Sequence, residues 1–304
     1  MRLREIGPGL EVSVVGVGCN NFGWRLDQYE TAGVVDAALE AGITLFDTAE
    51  SYGDGKSERF LGRALGRRRD RAVIATKWGW GRGFKDVEVA RGSREYLRGA
   101  IEASLDRLGT DYVDLYQYHR PDGITPIEET LGTLDELVAE GKVRFIGSSN
   151  FSAAEVDEAE RVAAAGGTAR FVTAQNRYSL LEREAEQALI PSLERLGIGL
   201  LPYYPLASGL LTGKYGRGAP EPEGTRLSGR LEVPDERWDR LEALEAFGRK
   251  RGVSLLDVAI GGLAAMPAVS SVIAGAMTAE QVRANAAAGE WVPTPDELPQ
   301  LRAL

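Results

Sequence analysis

Short apolar runs alternate with segments of helical periodicity along most of the chain. Residues 44–48 (TLFDT) and 72–78 (AVIATKW) have the length and β-branched content of buried strands. Residues 93–108 place Leu97 and Ile101 on one face at a spacing of four, which is typical of an amphipathic helix. Strands that alternate with helices predict a parallel sheet in an α/β protein.

Eight strand-and-helix units can be traced in this way. Strands are predicted at residues 14–18, 44–48, 72–78, 112–119, 143–149, 171–176, 199–204 and 271–276. Helices are predicted at residues 29–41, from 57, at 93–108, 126–140, 152–165, near 183–196, at 235–250, 254–265 and from 278. Eight units in about 300 residues favour a closed (β/α)8 TIM barrel over an open sheet.

The segments outside these units complete the expected architecture. Residues 1–13 predict a β-hairpin that turns at Gly7-Pro8-Gly9. Residues 206–234 are rich in Gly, Pro and charge and predict a long loop after the seventh strand. The tail after Gly289 contains three prolines and is expected to be irregular. Because no composition break divides the chain, we expect a single barrel domain over residues 1–304.

Composition and charge exclude several function classes. The formal charge of −9 argues against a nucleic-acid partner, because phosphate binding needs a basic surface. The one cysteine, Cys19, excludes an internal disulfide and suggests a reducing compartment. The chain opens without a signal-peptide pattern and has no apolar run near the roughly 18 residues of a membrane span. We therefore expect a cytoplasmic protein without a membrane partner.

Side chains that can carry chemistry follow the predicted strand ends. Asp47 ends one strand, Tyr52 lies in the loop behind it, and Lys77 and His119 lie at the ends of the next two strands. The carboxyl ends of barrel strands meet at one rim, so these groups should lie together. Taken alone, each has an ordinary structural explanation, such as loop packing, a turn or an ion pair. A buried lysine is costly without a partner, and Asp47 would supply one.

With these four residues, the motifs FDTAESYGDGKSERFLG, ATKW and YQYHRPD make the chain resemble the aldo-keto reductase family. The resemblance continues through GSSNFS at 147–152, QNRYSL at 175–180, PYYPLASGLLTGKY at 202–215 and IAGAMTAEQVRAN at 273–285. It therefore covers nearly the whole chain. It implies an oxidoreductase that interconverts a carbonyl compound and its alcohol with NAD(P)H and without a metal.

The resemblance implies a role for each of the four residues. Tyr52 would give a proton to the developing alkoxide, and Lys77 would lower the tyrosine pKa from its usual value of about 10. Asp47 would keep Lys77 charged and oriented. His119 would donate a hydrogen bond to the carbonyl oxygen. In alcohol oxidation, Tyr52 would act as the base.

The resemblance also implies a cofactor site on the same rim, since no G-x-G-x-x-G motif follows the first strand. Ser149, Asn150 and Gln175 would bind the nicotinamide carboxamide, and Tyr203 would stack on the ring. The pyrophosphate would follow Leu206, Ser208, Gly209 and Lys214. The adenosine end would lie at Gly275, Gln281 and Asn285.

NADP(H) is the expected cofactor, with NAD(H) as the alternative. Many relatives carry Ser, Lys or Arg at the positions of Gly275, Ala276 and Met277, where they bind a 2′-phosphate, and Glu at the position of Ala284. Arg226, in the motif GTRLS, resembles a phosphate-side arginine and would compensate.

The substrate is expected to be a small carbonyl compound or a sugar. Residues predicted on loops at the barrel mouth are Asn20, Trp24, Trp78, Trp80 and Arg120. Their tryptophans would suit an apolar or sugar-ring substrate, although ordinary loop packing explains them as well. We expect a monomer or a small homo-oligomer.

Three other functions compete with a carbonyl reductase. The first is a sugar dehydrogenase that works in the oxidative direction. The second is a cofactor-binding, redox-sensing regulatory subunit, although such a protein would not need a proton donor. The third is a nucleotide hydrolase, because residues 50–57 (ESYGDGKS) nearly match a P-loop. However, Glu50 stands where that motif requires its first glycine.

Overall fold

Parallel strands and helices alternate along the chain. The computed structural model describes residues 1–80, 90–220 and 232–304. The strands are β1 Leu3–Glu5, β2 Glu11–Ser13, β3 Val15–Gly18, β4 Leu45–Asp47, β5 Val73–Trp78, β6 Val113–Tyr118, β7 Val143–Ser149, β8 Phe171–Gln175, β9 Gly199–Leu200 and β10 Val272–Gly275. The helices are α1 Gln28–Glu40, α2 Lys56–Leu65, α3 Arg94–Leu108, α4 Ile127–Ala139, α5 Ala153–Gly166, α6 Leu189–Leu196, α7 Asp235–Arg249, α8 Leu255–Asp257, α9 Ala279–Ala288 and α10 Glu297–Arg302. Short 3-10 helices include Tyr52–Gly55 and Ala207–Thr212, and α8 continues into a π-helical turn, Val258–Gly262.

The strands β3 to β10 form one parallel sheet in the order β10-β3-β4-β5-β6-β7-β8-β9. Its two ends are joined by backbone hydrogen bonds, since Leu200 N donates to Ala268 O at 2.7 Å and Ser270 N donates to Leu200 O at 2.9 Å. The sheet therefore closes, and the predicted (β/α)8 barrel is confirmed. The antiparallel hairpin of β1 and β2 is also present as predicted.

Two apolar cores hold the barrel together. The inner core fills the lumen and includes Leu45, Leu115 and Ile273, and the hairpin adds Ile6 and Val12 to it. The hairpin thus packs against the apolar part of the lumen. A larger outer core lies between the strands and the surrounding helices. Among the described residues, no helix has both the length and the apolar composition needed to cross a membrane.

The C-terminal part of the chain differs from the sequence prediction in two places. The seventh strand spans only Gly199–Leu200, although Leu201 N still donates to Ala174 O at 2.9 Å and Tyr203 N to Asn176 O at 3.1 Å. The tail predicted to be irregular contains α10. Pro299 lies in the first turn of this helix. Backbone N–H groups in the first turn have no intrahelical acceptor, so a proline there costs no helical hydrogen bond. Thr294 N donates to the Glu297 side chain at 2.8 Å and fixes the start of the helix.

Candidate active site

Asp47 and Lys77 form a buried ion pair at the C-terminal rim of the barrel. They lie on adjacent strands, β4 and β5, and Lys77 Nζ is 2.7 Å from Asp47 Oδ1. Lys77 Nζ also donates to Thr48 O at 2.8 Å. The lysine side chain is fully buried and that of Asp47 is 4% exposed. A buried ammonium is stable only with such partners.

Two amides support the carboxylate of this pair. Gln175 Nε2 donates to Asp47 Oδ1 at 2.8 Å and Gln117 Nε2 donates to the same oxygen at 3.4 Å. Burial by itself lowers the pKa of Lys77, but the Asp47 carboxylate, together with the contact to Tyr52, outweighs it, so the pKa is raised above its usual value. Lys77 is therefore an ammonium at neutral pH.

Tyr52 begins the 3-10 turn that follows β4. Its hydroxyl lies 3.4 Å from Lys77 Nζ, and that Nζ lies 4.9 Å from the ring centroid. The turn is sharp because Gly53, Asp54 and Gly55 all have positive φ. Burial raises the pKa of Tyr52, and Lys77 only partly offsets it. The expected lowering by Lys77 is present, but burial is the larger effect, so the pKa of Tyr52 is raised overall and its hydroxyl is protonated at neutral pH.

His119 follows β6 and faces Tyr52. The two ring centroids are 5.9 Å apart in an edge-on arrangement, and His119 N donates to Trp78 O at 2.9 Å. Burial, with a contribution from Lys77, holds the pKa of His119 well below its usual value. The imidazole is therefore neutral. A neutral imidazole has one N–H to donate.

Asn150 connects His119 to two other predicted cofactor residues, Ser149 and Tyr203. It has a left-handed φ of 60°, and its Nδ2 donates to His119 O at 2.9 Å and to Ser149 Oγ at 3.2 Å. Its Oδ1 accepts from the Tyr203 hydroxyl at 2.8 Å. With Gln175 bound to Asp47, all four residues predicted for the nicotinamide lie beside the four catalytic candidates.

The predicted pyrophosphate segment has an unusual backbone. Ala207 and Ser208 have φ values of 46° and 60°, and Gly209 follows with 101°. These left-handed residues form a closed turn after Leu206, in which Ala207 N donates to Tyr204 O at 3.0 Å and Gly209 N donates to Leu206 O at 2.8 Å. A Cβ on Gly209 would lie 3.2 Å from Lys214 Nζ, so glycine lets this ammonium approach the loop. Lys214 is therefore the charged group that this segment presents beside the turn.

The predicted adenosine end surrounds the start of α9. Gly275 ends β10 and is exposed, whereas Asn285 is buried. Gln281 Oε1 accepts from Met277 N at 2.7 Å, so this side chain also shapes the loop before the helix. Arg226 lies outside the described residues.

The sequence model of the Aldo/keto reductase family matches residues 14–304. The chain belongs to this family. It is therefore an NAD(P)H-dependent oxidoreductase of a family that acts on carbonyl compounds and does not depend on a metal. Within the described residues, no group of three or more His, Cys, Asp or Glu side chains is placed to hold a metal.

Three relatives of this aldo/keto reductase carry names of two kinds: potassium channel subunit beta and oxidoreductase. It is 34% identical to a probable voltage-gated potassium channel subunit beta of Oryza sativa subsp. japonica, over 100% of this chain and 96% of that protein. A protein with the same name in Arabidopsis thaliana is 34% identical over 96% and 92% of the two chains. The uncharacterized oxidoreductase YrpG of Bacillus subtilis is 36% identical over 90% and 86%.

Two predicted pocket residues of the reductase meet at the barrel mouth. The Trp80 ring centroid lies 5.8 Å from that of His119, and Arg120 Cζ lies 5.0 Å from the Trp80 centroid. Asn20 lies instead near Gly275, with its Oδ1 3.9 Å from where a Cβ on that glycine would stand. Trp24 is 63% exposed, and Arg25 packs over its ring at 4.7 Å.

The prediction that Trp78 lines the pocket is wrong. Its side chain is fully buried and stacks on Tyr116 and Tyr118, with centroid distances of 4.5 and 4.9 Å. Trp78 Nε1 donates to Arg91 O at 3.2 Å. Neighbouring strand residues face opposite sides of a sheet. Because Lys77 faces the lumen, Trp78 faces the helices.

Sequence reasoning missed Gln117 and Glu50. Gln117 is two residues before His119 on a strand, so period-two alternation was a signal that both face the lumen. Glu50 accepts a hydrogen bond from Gly79 N at 2.8 Å and another from the Tyr96 hydroxyl at 3.2 Å. No local pattern indicates these contacts.

Proposed function

We propose that this reductase converts a small aldehyde, ketone or sugar into its alcohol, with Tyr52 as the proton donor. The proposal depends on one observation: Asp47, Lys77 and Tyr52 form a continuous set of contacts, at 2.7 and 3.4 Å, at the barrel rim beside His119. A sugar dehydrogenase that runs in the oxidative direction would use the same residues, with Tyr52 as base.

Each residue has one task in the reduction. NAD(P)H, when bound, supplies the hydride that reaches the carbonyl carbon. His119 donates its N–H to the carbonyl oxygen and fixes its position. Tyr52 gives the hydroxyl proton to that oxygen as negative charge develops on it. The Lys77 ammonium stabilises the resulting phenolate, and Asp47 keeps Lys77 charged.

The described residues fit a dinucleotide in this position. Ser149 and Asn150 supply polar groups for a carboxamide, and Tyr203 supplies an aromatic face. The Lys214 ammonium, 3.2 Å from where a Cβ on Gly209 would stand, supplies a positive charge for the pyrophosphate. We propose NADP(H) as the cofactor. Because Met277 carries no positive charge, the preference for NADP(H) over NAD(H) should be smaller than it would be with a cationic residue at this position.

Met277→Arg should increase the affinity for NADPH about tenfold, or ~1.4 kcal/mol, and leave the affinity for NADH nearly unchanged. A guanidinium at the start of α9 would pair with the 2′-phosphate, which NADH lacks. Fluorescence titration with both cofactors measures the effect, and Met277→Gln is the neutral control of similar length. An equal gain for both cofactors would show that residue 277 does not contact the 2′-phosphate.

A carbonyl panel tests the proposed function directly. Titration of the purified protein with NADPH should change the fluorescence of the protein or of the cofactor. The protein should also oxidise NADPH in the presence of at least one aldehyde, ketone or sugar. The alcohols are assayed with the oxidised cofactor in parallel. A faster oxidative reaction on sugars would favour the dehydrogenase, and absence of cofactor binding would reject both.

A regulatory subunit is the second candidate function. Two relatives that align over nearly the whole chain are named as probable potassium channel subunits beta. On this proposal the reductase would bind a membrane protein partner and report the redox state of its cofactor. Tight NADPH binding with negligible turnover of every carbonyl in the panel would favour this role. The chain's net charge of −9 favours neither role but opposes a nucleic-acid partner.

A further inference from the structure

The loop between β4 and Tyr52 carries a carboxylate that the reaction above does not use. Glu50 Oε1 accepts from Gly79 N at 2.8 Å and from the Tyr96 hydroxyl at 3.2 Å. The backbone N of Glu50 donates separately to Lys77 O at 3.1 Å. Glu50 therefore joins the Tyr52 loop to the end of β5 through its backbone and through its side chain.

Gly79, the partner of this carboxylate, turns the chain sharply. It has a φ of 90°, and a Cβ at this position would lie 2.8 Å from a ring carbon of Tyr118. The next residue is Trp80, whose ring lies against His119 with centroids 5.8 Å apart. The hydrogen bond that Gly79 N donates to Glu50 thus holds the turn that directs Trp80 toward the reacting groups.

The carboxylate occupies an unfavourable place for a charge. Burial raises the pKa of Glu50, and the hydrogen bond from Gly79 only partly offsets it; nearby Glu58 adds to the rise. Burial and Glu50 together raise the pKa of Tyr96 to about 12. This half-buried carboxylate is held by its two hydrogen-bond donors, Gly79 N and the Tyr96 hydroxyl.

We propose that Glu50 is a positioning residue for substrate binding, which fixes the Gly79 turn and thereby the Trp80 wall of the barrel mouth. The inference rests on the proposed function, because Trp80 matters to turnover only if a carbonyl substrate enters beside His119. The two hydrogen bonds of Glu50, one through its side chain and one through its backbone, can be tested separately. A substitution removes the side-chain bond to Gly79 but leaves the backbone bond to Lys77 that supports the Tyr52 loop.

Steady-state kinetics of two variants measure the effect of the hydrogen bond between the Glu50 side chain and Gly79 N. Glu50→Ala should raise the KM for the carbonyl about tenfold, with kcat within about threefold and the cofactor Kd unchanged. Glu50→Gln keeps an acceptor oxygen for Gly79 N, so its KM should stay within about twofold of the wild type. If Glu50→Gln is impaired as strongly as Glu50→Ala, the charge rather than the hydrogen bond matters and the proposal fails.

Hydrogen exchange in the cofactor-free protein gives a readout that needs no activity. The Gly79 amide should exchange about tenfold faster in Glu50→Ala and near the wild-type rate in Glu50→Gln. The amides within β5 serve as the internal control for general destabilisation. An unchanged exchange rate at Gly79 would show that the Glu50 side chain does not hold this amide, and the proposal would fail. If the Gly79 amide exchanges as expected but the protein reduces no carbonyl compound, the proposed function is rejected and the role of Glu50 in holding the turn is not.

Two further variants test the route through Trp80. If Glu50 acts by placing this ring, Glu50→Ala should add little to the KM of Trp80→Ala in the double variant. Tyr96→Phe removes the other donor to Glu50 but keeps the bond to Gly79, so its KM should remain near the wild type. Full additivity, or a Tyr96→Phe effect as large as that of Glu50→Ala, would contradict the proposal.

Discussion

Tyr52→Phe should lower the turnover of the best carbonyl substrate about a thousandfold and leave the Kd for NADPH within about twofold of the wild type. The variant removes the proton that the alkoxide must receive and keeps the aromatic ring. The structure favours this role because burial keeps the hydroxyl protonated and Lys77 Nζ, 3.4 Å away, can stabilise the phenolate. Steady-state kinetics and fluorescence titration on the same preparation measure both quantities.

A second tyrosine provides the matched control for this variant. Tyr178 is also buried, but its hydroxyl bonds to Glu186 at 2.7 Å, in the segment after β8. Tyr178→Phe also loses a buried hydroxyl, and its turnover should remain within about twofold of the wild type. If Tyr52→Phe retains normal turnover, Tyr52 is not the proton donor. If it loses NADPH affinity in parallel, the ring position rather than the proton is responsible.

The sequence was sufficient to predict the barrel and to bring the four catalytic candidates together. Asp47, Lys77 and His119 each stand at the end of a strand, and the strands are adjacent in the sheet in the order in which they occur in the chain. A parallel barrel places all such ends on one rim. The prediction therefore needed only the type and order of the strands and helices, and the hydrophobic pattern of the sequence indicates both.

Predictions that depended on side-chain direction or burial were less successful. Trp78 is predicted on a loop at the mouth, but it is the last residue of β5, and period-two alternation allows only one of Lys77 and Trp78 to face the lumen. The net pKa shift of Tyr52 depends on burial, which a sequence motif does not contain. The bond between Glu50 and Tyr96 joins residues 46 positions apart, so no local signal indicates it.

Neutralising one member of the Asp47–Lys77 pair should destabilise the protein more than neutralising both. Asp47→Asn leaves a fully buried ammonium without its carboxylate, and Lys77→Met leaves a buried carboxylate without its cation. Each single variant should lose about 3–5 kcal/mol of unfolding free energy, because the remaining charge has no counterion. The double variant should lose less than either, although all three should lose turnover.

The pH dependence of stability distinguishes this explanation from a simple loss of packing. Wild-type Lys77 has a raised pKa, so its contribution to stability is complete at neutral pH and is lost only as the pH rises through that value. In Asp47→Asn, burial acts without the opposing carboxylate and should depress the pKa of Lys77. The unfolded state then binds more protons, so the stability of Asp47→Asn should rise from about pH 7 to pH 9 while that of the wild type does not. Urea unfolding at several pH values measures this slope, and parallel profiles for the two proteins would show that Asp47 does not hold the charge on Lys77.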